Sequence, residues 1–208
     1  MTAALIAVNA AVFFYEQSLA EPDLDAFVTT FGLVPAAFSS VAVLTSMFLH
    51  GGWLHFLGNS LYLWIFGDNV EDRVGHLRFL AFYLVCGAVA ALVQTAMNPG
   101  SGVPMVGASG AIAGVMGAYF VMFPHSRILT LIPILFFIQV VEIPAIFFLG
   151  IWFLMQLVSG VGSLGVQTAG DVGGIAFWAH IAGFGSGLIG IFLFRRPERQ
   201  RPTWWDRA

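Results

Sequence analysis

Residues 175–194 read Ile-Ala-Phe-Trp-Ala-His-Ile-Ala-Gly-Phe-Gly-Ser-Gly-Leu-Ile-Gly-Ile-Phe-Leu-Phe, an apolar run in which His180 is the one ionisable side chain. As a helix, a run of this length reaches about 30 Å, the thickness of a bilayer's hydrocarbon core. Further apolar stretches lie near 2–15, 53–66, 77–97, 109–123 and 143–160. Backbone polar groups in lipid have to be paired within their own segment, so each stretch is expected to be a helix. The expected fold is therefore all-α: a polytopic membrane protein with a bundle of six transmembrane helices over residues 1–194 and a short basic tail over 195–208.

The composition agrees with that class. Hydrophobic residues make up 59% of the 208 and charged residues 9%, far from a soluble domain. A net charge of −3 offers no footprint for nucleic acid, and the partner implied by the apolar surface is the lipid bilayer. The eight basic residues are all Arg. Arg73 and Arg78 follow the second stretch, Arg127 the fourth, and Arg195, Arg196, Arg199, Arg201 and Arg207 the sixth, whereas the connections 16–52, 98–108 and 161–174 contain none. The positive-inside rule then places both termini in the cytoplasm. An Arg-only basic set without eukaryotic targeting signals points to a prokaryotic plasma membrane. Residues 128–141 are apolar but too short to span, and Pro133 and Pro144 interrupt them; they are expected to be an interfacial or re-entrant lead-in to the fifth span. The first span begins almost at Met1 and is short, so residues upstream of it are expected.

Under this topology the second, fourth and sixth spans run in the same direction, and each carries its unusual polar residues near its start. His55 and Asn59 are four apart and project from one helical face. Ser109 opens the fourth span and His180 lies about one turn into the sixth. All four should share one depth, within roughly 10 Å of the outer boundary. Such residues are costly in a bilayer and mark function, although His and Asn also serve simply as hydrogen-bonding glue between spans. Ser109 at a helix N-terminus is suited both to a cap and to a nucleophile beside oxyanion-stabilising N–H groups. The G-x-x-x-G pairs Gly110/Gly114 and Gly183/Gly187, with Gly107 before the nucleophile, permit close helix approach. Cys86, the single cysteine, is expected to be a small buried packing residue. A metal site of His50, His55 and His180 lacks an acidic or thiolate companion, so none is expected, and no motif implies a cofactor.

Gly107-Ala108-Ser109-Gly110, the run Ala179-His180-Ile181-Ala182-Gly183-Phe184-Gly185-Ser186-Gly187, and His50-Gly51-Gly52-Trp53-Leu54-His55-Phe56-Leu57-Gly58-Asn59 followed by Phe66-Gly67-Asp68-Asn69-Val70-Glu71 resemble the signature motifs of the rhomboid family of intramembrane serine proteases, in order and on the expected spans. The resemblance covers essentially the whole chain as a prokaryotic six-span core. It implies a Ser–His dyad, with Ser109 as nucleophile and His180 as general base and acid. His55, Asn59 and the Ser109 backbone N–H would stabilise the oxyanion, and the substrates would be transmembrane proteins.

Two features depart from relatives. Position 113, where some carry an aromatic residue supporting the histidine ring, is Ala, and the Trp-Arg pair of the first outer loop is absent. Asp171 is a poor third member, since it stands in a Gly-rich loop. Substrate would pass a gate formed by the fifth span and the loop 161–174, with Trp152 and Phe153 as apolar bulk. Two other function classes compete: an inactive relative that binds or escorts membrane proteins, which would lack the Ser or the His, and a small transporter, which would carry polar residues through to the inner halves of the spans. Oligomeric state is open.

Overall fold

The computed structural model describes residues 1–134, 137–164 and 176–195. It is an all-α bundle, interrupted by one β-hairpin. The long helices are α1 (Thr2–Ser18), α4 (Trp53–Val74), α5 (His76–Met97), α6 (Ser109–Met122), α7 (Ala145–Ser163) and α8 (Phe177–Phe194). They fall where the apolar stretches lie. Of these, α5, α7 and α8 are each long and apolar enough to cross a bilayer unaided, and α4 qualifies together with the short helix before it, from which it bends by 88°.

α6 is the hub. It contacts α4, α5, α7 and α8, and ten of its fourteen residues are buried. At about 1.5 Å per residue it is shorter than a hydrocarbon core, but its neighbours shield it from lipid. Small residues make the position possible. A Cβ on Gly114 would lie 2.4 Å from Cys86 Cβ of α5, and one on Gly187 would lie 1.8 Å from the Gly114 carbonyl oxygen. Cys86 is itself buried in this contact.

One boundary needs correction. α4 continues past 66 to Val74, because Leu63, Phe66, Gly67, Val70, Glu71 and Val74 form one buried stripe although the segment turns polar overall. It ends at Gly75, whose φ of 88° breaks the helix, and α5 starts at the next residue. At this corner Glu71 accepts the Thr2 backbone N–H at 2.6 Å and contacts His76 Nδ1, tying the start of α1 to the turn.

The lead-in to α7 at 128–141 is built as an antiparallel hairpin, β1 (Arg127–Ile134) paired with β2 (Phe137–Pro144). Its Ile, Val, Phe and Thr content favours extended backbone, and its prolines oppose a helix.

The first connection carries secondary structure of its own. It holds α2 (Glu21–Phe31) and α3 (Ser40–Thr45), and Leu33 pairs with Met105 of the connection before α6. Glu16 belongs to α1, is buried, and accepts the His50 backbone N–H at 3.1 Å. The expected tail, apart from Arg195, and most of the gate loop, including Asp171, lie outside the described residues.

Candidate active site

The approach to α6 sets the site. Gly107 has φ +121°, a conformation that L side chains rarely adopt, and its N–H donates to the Ser46 carbonyl at 2.8 Å. The chain is thereby turned so that Ser109 becomes the first residue of α6, where the leading N–H groups have no partner within the helix.

α8 presses against this end of α6. A Cβ on Gly183 would lie 2.0 Å from the Gly110 carbonyl oxygen. That proximity brings a short side chain within reach of an imidazole: His180 Nε2 is 2.9 Å from Ser109 Oγ. The other ring nitrogen, Nδ1, is 2.8 Å from Gln156 Oε1 on α7. An amide oxygen only accepts, so with Oε1 facing the ring Nδ1 would donate to it and Nε2 would be left to accept from the Ser109 hydroxyl. Beside His180, the Ala179 N–H donates to Gln94 Oε1 of α5 at 3.1 Å, pairing one of the otherwise free donors at the start of α8.

His55 and Asn59 face the same turn. The Gly51 N–H donates to His55 Nδ1 at 3.3 Å, which leaves the hydrogen on Nε2. That edge of the ring lies against Gly107, where a Cβ would be 2.6 Å from both Cε1 and Nε2. Asn59 Nδ2 would be 3.6 Å from the same Cβ; it is buried and has no hydrogen-bond partner among the described residues. Two N–H donors and the N-terminus of α6 therefore surround the backbone just before Ser109.

His50 packs its ring 5.4 Å from that of His55. Among the described residues, no three His, Cys, Asp or Glu side chains are grouped to hold a metal.

Trp152 and Phe153 lie half-buried between α7 and α8. Trp152 sets its ring 5.8 Å from His180 and 6.0 Å from Phe184, and Phe153 stacks on Phe184 at 4.6 Å and 20°. Gln156 and Gln94 also border the site, although no motif in the sequence marks them. Each is a lone amide inside an apolar span, a signal that marks a polar role there without saying which residue it faces. A narrow hollow reaches Ser109, lined by Met47, Met105 and Val106 as well as by small residues such as Ala90 and Ala179.

Comparison with known proteins gives a consistent picture. The model of the Rhomboid domain matches residues 37–197. Rhomboid protein 1, mitochondrial, of Saccharomyces cerevisiae is 29% identical over 95% of this chain and 54% of its own length. The presenilin-associated rhomboid-like protein, mitochondrial, of Homo sapiens is 28% identical over 72% of this chain and 36% of its own length. Rhomboid protease GluP of Bacillus subtilis is 41% identical over 36% of this chain and 14% of its own length. The chain thus spans about half, or less, of the length of these relatives. With the domain match covering most of the sequence, the chain belongs to the rhomboid family.

Proposed function

We propose that this protein is an intramembrane serine endopeptidase, hydrolysing a peptide bond in or beside a transmembrane segment of another membrane protein. The observation that carries the reading is the 2.9 Å hydrogen bond from Ser109 Oγ to His180 Nε2, set beside the donors at Gly107. The name of the Bacillus subtilis relative, a rhomboid protease, supports carrying this activity over.

In the proposed reaction His180 Nε2 takes the hydroxyl proton as Ser109 Oγ attacks the scissile carbonyl carbon. The oxyanion of the tetrahedral intermediate faces His55 Nε2–H, Asn59 Nδ2–H and the Ser109 N–H. The imidazolium then returns its proton to the departing amine as the C–N bond breaks, leaving an acyl-serine. Water, deprotonated by the same nitrogen, attacks the ester and restores Ser109.

In this reading six helices span the bilayer, both ends of the span region lie on the Arg-bearing side, and the site opens to the opposite, Arg-free side. In a prokaryotic plasma membrane that side is extracytoplasmic. Substrate helices arrive laterally beside α7.

The test is cleavage of a labelled single-span substrate in liposomes by wild type, Ser109→Ala and His180→Ala, with helicity checked for each. Both variants should lose several orders of magnitude in rate while folded. Wild-type inactivity on several substrates would favour a binding or escort role, and activity surviving Ser109→Ala would overturn the mechanism.

A further inference from the structure

His180 is held from a helix with no sequence motif linking it to the catalytic pair. Gln156 Oε1 of α7 accepts from its Nδ1 at 2.8 Å. One turn earlier on the same helix, Trp152 lays its indole 5.8 Å from the imidazole at 37°. On the nucleophile's own helix, position 113 carries Ala, whose methyl offers the imidazole no ring to lie against. Resting on the protease reading above, we infer that Gln156 is a positioning residue that fixes the tautomer of His180, with Trp152 setting the plane of its ring.

The chemistry of the amide supports this role. Nε2 can receive the Ser109 proton only if its lone pair is free, and a neutral imidazole is free there only when its hydrogen sits on Nδ1. The hydroxyl of Ser109 does not decide between tautomers, because it can donate or accept. An acceptor at Nδ1 does decide. Once Nε2 is protonated, the same oxygen still accepts from Nδ1–H, and the negative end of its dipole stabilises the new positive charge. A neutral amide does this without the heavy desolvation penalty of a carboxylate between apolar helices.

A consequence follows for substrate admission. Trp152 and Phe153 pack α7 on α8, so a displacement of α7 away from α8 also stretches the Gln156–His180 bond. The base is armed only while α7 is seated. Admission of substrate and activation of the nucleophile are then successive states of one helix.

The test combines tautomer and reactivity in the full-length chain in bicelles. Long-range proton–nitrogen spectra of protein labelled with 15N-histidine, with His180 assigned by its absence in His180→Ala, should show hydrogen on Nδ1 in wild type and in Gln156→Glu. In Gln156→Met the hydrogen should be distributed over both nitrogens. In parallel, the labelling rate of Ser109 by a small fluorophosphonate should fall about five- to tenfold in Gln156→Met, the loss expected for one hydrogen bond, and be retained in Gln156→Glu. An unchanged tautomer in Gln156→Met, or hydrogen on Nε2 in wild type, would overturn the inference. If the tautomer behaves as stated while wild type is not labelled at all, the protease reading fails and the positioning role stands.

Discussion

Gly183 and Gly110 meet backbone to backbone: a methyl group placed on Gly183 would lie 2.0 Å from the Gly110 carbonyl oxygen. No rotamer relieves such an overlap, because a Cβ is fixed by its own backbone and the carbonyl it meets is main chain. Gly183→Ala should therefore push α8 off α6, lowering stability by about 1–3 kcal/mol and separating Ser109 from His180. Gly185 on the same helix has open space at its Cβ position, and Gly185→Ala should leave activity intact and stability equal or higher. Thermal denaturation and Ser109 labelling of the two variants check this, and equal behaviour of both would remove close approach as the reason for the glycine at 183.

The donors around Gly107 make a separate prediction. Asn59 Nδ2 has no partner among the described residues, so Asn59→Ala should cost little stability. A donor aimed at an oxyanion is worth roughly 10²–10³ in kcat. Loss of that order in Asn59→Ala and in His55→Ala, with KM nearly unchanged, is expected in substrate cleavage. A change confined to KM would assign these residues to ground-state binding instead.

Much of this site was legible from the chain alone, for a physical reason. Ser109, His180, His55 and Asn59 interrupt apolar runs at matching positions, and polar interruptions in lipid stand out against their surroundings. Glycines at four-residue spacing likewise announce helix contact, because they leave a strip of bare backbone along one face of a helix. The residues that were not legible depend on partners from another helix. Gln156 sits in α7 as an isolated amide, and nothing in its neighbours along the chain points to His180. The hairpin at 127–144 was obscured because a short apolar run has no period that separates strand from helix. The polar end of α4 was lost to mean hydropathy, which cannot register a single buried stripe.

Glu16 carries a prediction about the start of α4. Its buried carboxylate accepts the His50 N–H at 3.1 Å, just before the turn at Gly51 and Gly52 that leads to His55. Glu16→Ala leaves that N–H without its acceptor and should cost about 1.5–3 kcal/mol, whereas Glu16→Gln retains an acceptor oxygen and should cost about half as much. Because His55 follows directly, activity should fall in the same order. Denaturation midpoints that do not differ between the two variants would show that the carboxylate merely fills space.

The last prediction separates two neighbours on α7 that the sequence treats alike. From apolar bulk alone, removing Trp152 and Phe153 together is expected to loosen a gate and raise cleavage. The structure divides them: Phe153 stacks only on Phe184 among the ring contacts of the described residues, whereas Trp152 also packs against the imidazole of His180. Phe153→Ala should therefore weaken the seating of α7 and raise cleavage of a membrane-embedded substrate severalfold, with fluorophosphonate labelling of Ser109 falling only modestly, since α7 is loosened while Trp152 and Gln156 still face the imidazole. Trp152→Ala frees the imidazole as well as the helix, and labelling should drop severalfold while cleavage fails to rise. The double variant should retain the labelling defect of the Trp152 change. Two single variants that both accelerate cleavage at constant labelling would reduce Trp152 to a plug and leave Gln156 as the sole hold of α7 on the base.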